Sequence, residues 1–372
     1  ASSEAASTDT AASVSDSEED NIIRDGDVCS MIGGSAIYGE VAQNAVDMAV
    51  EEINAGDSGY KIEIVNGSKV ADDAKDAKQA MNAYNKVMAD SPAAIVGSFF
   101  SSVTLPMATQ AANDGMLLLA TGATNVDVTQ KGSTIFRNCF IDPYQGKMAA
   151  LFVKSKGFSK VAVIYAKDDD YSNGLKDAFV ENCEVNGIEI TYTGECMSTD
   201  TDFSSQAAQA VASGAEFLYY PCFLDTVPLL VGAARNAGFT GAIMGGDGWD
   251  GLEGYATADQ LKDSYFCANY AKGSNPDFEN AYKAEYGEEY PNGFAPLGYD
   301  AAMTVVYGIQ AAEAAGLAAG DDDYKQAVID AIAGGTIDGI TGTFTFDEHH
   351  NPVKQTAILC FDGATPVLKE MF

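Results

Sequence analysis

The sequence predicts an α/β protein of two doubly wound, parallel-sheet lobes. Short apolar runs alternate with amphipathic stretches along most of the chain, which is the pattern of repeated strand–helix units. The apolar runs are nearly continuous and do not alternate with polar residues, as expected of strands covered on both faces. Ten such runs exceed a usual compact sheet, and 372 residues at ~150 per domain suit two lobes.

The predicted strands are 27–33 (DVCSMIG), 60–65 (YKIEIV), 93–97 (AAIVG), 116–120 (MLLLA), 134–137 (TIFR), 160–165 (KVAVIY), 188–193 (IEITYT), 216–220 (EFLYY), 241–245 (GAIMG) and 264–269 (SYFCAN). Gly, Asp, Asn or Ser bounds each of them. The predicted helices are 39–55, 72–90, 101–114, 143–157, 171–186, 203–213, 225–237, 277–287, 295–317 and 323–333. In the first, Val41, Ala45, Met48, Ala49 and Ile53 form one apolar stripe; Ala77, Ala80, Met81, Tyr84, Val87 and Met88 do so in the second. Ahead of them, residues 1–26 read as a disordered acidic spacer. Its first twenty residues hold six acidic side chains and eight Ser or Thr, with no Lys, Arg or aromatic, too little apolar surface to offset ordering entropy. Two readings of it stand: a generic tail, or the spacer behind the lipidated cysteine of a bacterial surface lipoprotein.

Charge and composition remove several function classes. Fifty-four acidic against twenty-one basic residues give a net charge of −33, which opposes nucleic acid and anionic membrane and favours a soluble monomer. The only histidines, His349 and His350, adjoin each other in a turn-like stretch, so a hydrolase triad or a His-rich metal site is not expected. Seven cysteines fit no zinc spacing. They read as buried thiols; Cys183 and Cys196, flanking a helix–strand turn, are the one pair placed to form a bridge. No metal or cofactor is expected.

In open α/β sheets ligands bind beyond the carboxyl ends of strands. The loops there are 33–38, 97–104, 120–125, 166–171, 221–226 and 246–251, rich in Ser, Thr, Gly and aromatics. Ser101 or Ser102 is placed to cap the helix after 97–104, whose first-turn N–H groups suit a carboxylate. In 120–125, the Gly122 carbonyl and the Thr124 hydroxyl add an acceptor for an ammonium and a donor for a carboxylate, so the two loops can hold a zwitterion. The 246–251 loop (GDGWDG) matches a dinucleotide fingerprint, but Asp247, Asp250 and Glu253 would repel phosphate and a poor helix follows. Asp168–Asp170 read as a solvated acidic face, and Trp249 as either a lid on its loop or a ligand-facing wall.

Several stretches together resemble the leucine/isoleucine/valine-binding type of periplasmic binding protein, the type I substrate-binding subunits of ABC amino-acid importers. These are VGSFFSS at 96–102 with Thr104 and Pro106, ATGAT at 120–124, YSNG at 171–174, FLYY at 217–220, MGGDG at 244–248 and GYDAA at 298–302. They occur in the family's order and spacing from about 27 to about 368. The resemblance implies two lobes joined by a three-strand hinge, crossing near Ile141–Pro143, Asn269–Lys272 and Asp347–Asn351. Lobe 1 is then 27–142 and 272–346, and lobe 2 is 143–271 and 347–372.

Carried over residue by residue, Ser101 is the carboxylate-binding serine and Thr124 the threonine touching both ends of the zwitterion. Gly122 supplies the ammonium-binding carbonyl, Tyr171 is the lobe-2 tyrosine that meets the amino acid, and Asp247 is the acidic ammonium partner. Tyr38, Phe99, Phe223 and Phe294 match side-chain pocket positions, with Phe100 and Trp249 nearby. Asp247 is one methylene shorter than the family's usual Glu, Gly122 replaces the usual Ala, and Phe99 and Phe100 are bulkier than usual. The uncharged wall favours an apolar side chain, branched-chain first. Phe99 pointing inward would favour Val or Ala; turned aside, it would admit an aromatic ligand.

The expected function is therefore extracytoplasmic capture of a small amino acid, without turnover, and its delivery to the membrane permease subunits of an ABC importer, from the periplasm or as a cell-surface lipoprotein. The alternatives are a ligand-sensing ectodomain of the same fold, a binder of a non-amino-acid carboxylate, and a dinucleotide enzyme built on 246–251.

Overall fold

A computed structural model describes residues 22–34, 36–56, 61–64, 71–287, 292–318 and 323–371. Two large sheets form the frame. The first uses β1 (Ile22–Cys29), β2 (Lys61–Ile64), β3 (Ala71–Asp72), β4 (Ala94–Gly97), β5 (Leu118–Ala120) and β6 (Ile135–Arg137) in the order β2-β1-β4-β5-β6, with β3 also on β1. All of its pairings are parallel. The second is ordered β16-β15-β11-β10-β9-β7-β8. Here β7 (Lys160–Ala166), β8 (Glu189–Cys196), β9 (Phe217–Tyr219), β10 (Ala242–Gly245) and β11 (Ser264–Ala268) are parallel. β15 (Ala357–Asp362) and β16 (Thr365–Met371) are antiparallel additions.

The ten predicted helices all form, including α1 (Ala36–Ala55), α3 (Ser101–Asp114), α4 (Asp142–Ser155), α5 (Asp170–Asn186), α9 (Pro276–Tyr286) and α10 (Phe294–Ala314). α2 (Ala77–Met88) starts five residues later than predicted, because Asp76 caps it by accepting from the Gln79 N–H at 2.9 Å. One short helix, α8 (Ala258–Leu261), was not expected; a Thr257–Gln260 capping box holds it.

Three departures concern strands. β1 begins at Ile22, inside the stretch read as spacer, because Ile22–Asp25 pair with β2; residues 1–21 lie outside the described residues. β12 (Thr336–Gly339), β13 (Gly342–Phe346) and β14 (Pro352–Val353) form a separate antiparallel sheet. With β15 and β16 they break the all-parallel expectation for the lobes. Finally, Pro352 and Val353 still pair with β13, so the third passage between lobes runs over 354–356, later than 347–351.

Each lobe is apolar on both faces of its sheet. One cluster on lobe 1 joins Val46, Leu119 and Phe136 to Val305, Ile329 and Phe344; a second on lobe 2 joins Phe152, Val163, Phe179 and Tyr219. A third is continuous from lobe 1 to lobe 2, through Tyr38, Phe99, Phe100, Tyr171 and Phe223. The lobes are thus closed upon one another. In both sheets the strand order reverses between two neighbours, β1/β4 and β7/β9, and the loops leaving these strands face the junction. All seven cysteines are free thiols. Cys183 and Cys196 are not bridged, since they pack into different clusters.

Candidate functional site

On lobe 1 the site is built by the loops after β4 and β5. The buried Asp73 carboxylate accepts from the hydroxyls of Ser30 and Ser98, and the Lys75 N–H donates to it at 2.9 Å. The Phe99 N–H donates to the Ser98 hydroxyl at 2.7 Å, which fixes the chain entering α3. Ser101 does not cap that helix: the N-cap residue is Phe100, with no side-chain bond. The Ser101 hydroxyl instead accepts from the Asn125 N–H at 3.1 Å and joins the two loops.

Arg137 underpins the 120–125 loop. Its guanidinium, wholly buried, donates to the carbonyls of Ala123 (2.6 Å) and Val126 (3.3 Å) and to the Thr129 hydroxyl (3.3 Å). Burial lowers its pKa. Above it, the buried hydroxyl of Thr121 makes no hydrogen bond within the protein, and that of Thr124 lies beside the Asp142 carboxyl. An unmet buried polar group costs about 1–3 kcal/mol, so such a group calls for a partner, whether water or ligand.

On lobe 2 the centre is Asp247. Its carboxylate accepts from the Gln145 amide (3.0 Å), the Tyr171 hydroxyl (2.9 Å) and the Asn269 amide (3.3 Å), while the Asp247 N–H donates back to Gln145 Oε1 at 3.0 Å. Burial pushes the Asp247 carboxyl up to about 6, with these donors opposing the rise. Asp142 opens α4 beside it. Its buried carboxyl lies beside the Thr124 hydroxyl, its N–H donates to the Thr124 carbonyl at 3.0 Å, and burial raises its pKa well above the usual carboxylate range, with the Thr124 hydroxyl opposing the rise. Asp250, also buried and pushed up to about 8, accepts from the Gly293 N–H of lobe 1 at 2.8 Å. Three buried carboxyls thus gather at the junction, each held toward its neutral form by burial, and a cation placed among them would favour ionisation.

Aromatic rings close the space. Tyr38 stacks on Phe99 at 5.1 Å and meets Phe294 and Phe223 edge-on at 5.5 and 5.8 Å. Phe223 stacks on Tyr171 at 4.4 Å. The Tyr38 hydroxyl donates to the Gly248 carbonyl at 2.6 Å and accepts from the Leu224 N–H at 3.1 Å, two direct bonds from lobe 1 to lobe 2. At the mouth, Lys75 pairs with Asp225 at 2.9 Å, over the rings of Phe100 and Phe223.

All nine residues expected at the site are buried at this junction. Ser101, Gly122, Thr124, Tyr38, Phe99 and Phe294 come from lobe 1; Tyr171, Phe223 and Asp247 come from lobe 2. Three neighbouring expectations change. Trp249 is neither lid nor ligand wall: its ring lies against Gly245, where a Cβ would meet Nε1 at 2.0 Å, and Nε1–H donates to the Tyr220 carbonyl at 2.9 Å. Its loop cannot cradle a phosphate, because the N–H groups of residues 247–250 are taken by Gln145, Tyr171, Gly246 and Asp247. Asp169, read as solvated, is buried and caps α5 through the Ser172 N–H at 2.9 Å, whereas Asp168 and Asp170 are exposed. Sequence reading missed Arg137, Asp142, Gln145 and Asn269. Charged or amide side chains next to the apolar run TIFRNCF and in the hinge segments were the available signal.

Comparison with known proteins agrees with the two-lobed fold. Residues 26–364 match the family described as periplasmic binding protein. The chain is 29% identical to Leu/Ile/Val-binding protein homolog 3 of Brucella melitensis, over 87% of this chain and 86% of that protein. It is 28% identical to the leucine-, isoleucine-, valine-, threonine- and alanine-binding protein of Pseudomonas aeruginosa, over 85% and 83%. The crystal structure of the branched-chain amino acid transporter substrate-binding protein LivJ from Streptococcus pneumoniae, in complex with isoleucine, superposes with a TM-score of 0.82 at 26% identity, covering 94% of this chain and 98% of that one. The family match spans most of the chain, and the chain belongs to the periplasmic binding protein family of extracytoplasmic solute-binding proteins.

Proposed function

We propose that this protein captures an apolar α-amino acid as its zwitterion between the lobes and hands it to the permease subunits of an ABC importer, acting as a monomer in the periplasm or at the cell surface, with no chemical step. The observation that carries this reading is the facing of two complementary half-sites. Lobe 1 offers a carboxylate the first turn of α3 with the hydroxyls of Ser101 and Thr124. Lobe 2 offers an ammonium the carboxylate of Asp247, with Asp142 beside it, and lobe 1 adds the Gly122 carbonyl as an acceptor. The side chain then lies against Tyr38, Phe99, Phe223 and Phe294, none of them charged. The names of the Pseudomonas and Streptococcus relatives support an apolar amino acid.

Release requires the lobes to part by bending where the chain crosses between them, near Ile141–Pro143, Asn269–Lys272 and 354–356. Calorimetric titration with the twenty amino acids, and with the 2-keto acids of valine and leucine, tests the reading. One or more apolar amino acids should bind, and the keto acids, lacking the ammonium, should bind far more weakly. Equal affinity for a keto acid and its amino acid would overturn it.

A further inference from the structure

Two features that the sequence offers separately, a glycine at 122 and a phenylalanine at 99, are one feature in space. A Cβ placed on Gly122 would lie 2.5 Å from Phe99 Cε2 and 2.6 Å from Cδ2. The Phe99 ring therefore occupies the space a methyl at 122 would fill, directly beside the carbonyl offered to the ammonium. The ring is not free to swing away. It stacks on Tyr38 at 12° between planes and meets Phe294 at 4.5 Å and Phe100 at 4.8 Å, both edge-on. Tyr38 is itself bonded across the junction to Leu224 and Gly248, and the Phe99 N–H is tied to Ser98. Phe99 is 2% exposed. Moving it would break stacking and closure together, and a packed interior resists such a change.

We propose that Phe99, seated on Gly122, is a size gate that restricts the ligand to amino acids with side chains between those of alanine and valine and excludes leucine and phenylalanine. The proposal rests on the zwitterion reading above, since it takes the ligand's α-carbon to lie beside Gly122. In an unobstructed apolar pocket each added methylene would tighten binding by about fourfold, so leucine would lead. Against the ring, the larger side chains must displace a packed aromatic instead.

The test is calorimetry of glycine, alanine, serine, valine, leucine and phenylalanine against the wild type, Phe99→Ala and Phe99→Leu. In the wild type, leucine and phenylalanine should bind about tenfold or more weakly than the best of alanine, serine and valine. In Phe99→Ala, leucine should gain about tenfold or more. A readout independent of ligand comes from thermal unfolding. Gly122→Ala should destabilise the wild type but be tolerated in the Phe99→Ala background, a coupling that a double-mutant cycle measures. If leucine outranks alanine, serine and valine on the wild type, the gate is refuted while the zwitterion site stands. If no amino acid binds the wild type, the underlying reading fails and the gate with it. The wild-type ranking decides even if a Phe99 variant does not fold.

Discussion

Replacing Asp247 by asparagine should move binding and stability in opposite directions. The carboxylate is fully buried, accepts three hydrogen bonds, and has its pKa raised from 3.8 to about 6, mainly by burial. A carboxyl whose folded pKa lies above its unfolded one holds its proton more tightly in the folded state. Its favourable contribution is complete at low pH and is lost as pH rises through about 6. At neutral pH the ligand-free protein therefore bears a cost on the order of 3 kcal/mol for keeping the charge there. A bound ammonium recovers that cost. Asp247→Asn removes the charge, so the ligand-free variant should be as stable as the wild type or more so. Amino-acid binding should meanwhile weaken by about 2–5 kcal/mol, which is more than tenfold in Kd. Asp247→Ala is the less clean test, because it also strands the Gln145 amide, the Tyr171 hydroxyl and the Asn269 amide, at about 1–3 kcal/mol each. The assays are calorimetry near neutral pH and thermal unfolding without ligand. Binding within threefold of wild type by Asp247→Asn would refute the assignment of Asp247 to the ammonium.

Other consequences follow from the same geometry. Because an ammonium favours the ionised form of Asp247, affinity should fall as pH drops below about 6, and binding near that pH should release a proton. Calorimetry in buffers of different ionisation enthalpy measures that release, and its absence would argue against the coupling. Tyr38→Phe loses the bonds to Gly248 and Leu224, which exist only between lobes. It should weaken ligand binding by about 1–3 kcal/mol with little change in ligand-free unfolding, and small-angle scattering should show incomplete closure. Arg137→Leu strands the carbonyls of Ala123 and Val126 beneath the 120–125 loop and should lower stability by about 2–6 kcal/mol in urea unfolding. Lys75→Met removes a half-exposed ion pair at the mouth; it should change affinity by less than about 1 kcal/mol and reduce its dependence on salt.

Local pattern was enough for the elements that make parallel lobes. An apolar run such as AIVG or KVAVIY carries its own strand signal, and the loops at strand carboxyl ends offered Ser101, Gly122 and Thr124, whereas Tyr171, Asp247 and the aromatic residues were reached only through the resemblance to the family. The strands from Thr336 onward were less legible. β12 and β13 alternate buried and exposed residues, β16 is exposed or half-buried throughout, and β14, like β3 earlier in the chain, is two residues long, so their identity depends on the partner they find.

The sequence by itself determined the fold class, the helices and the parallel strands of the two lobes, because periodicity, turn residues and charge are properties of neighbours along the chain. Only the tertiary structure decided what those residues do to one another. Asp247 gathers Gln145, Tyr171 and Asn269 from segments up to 102 positions away, and the Tyr38 hydroxyl reaches 210 positions to Gly248. Ser101 turns from capping its own helix to accepting from Asn125. Phe99 settles onto Gly122 because Tyr38, from a segment remote in sequence, packs its ring against that backbone. Hydrogen bonds and ring contacts depend on direction and distance between groups remote in sequence, which no local pattern specifies.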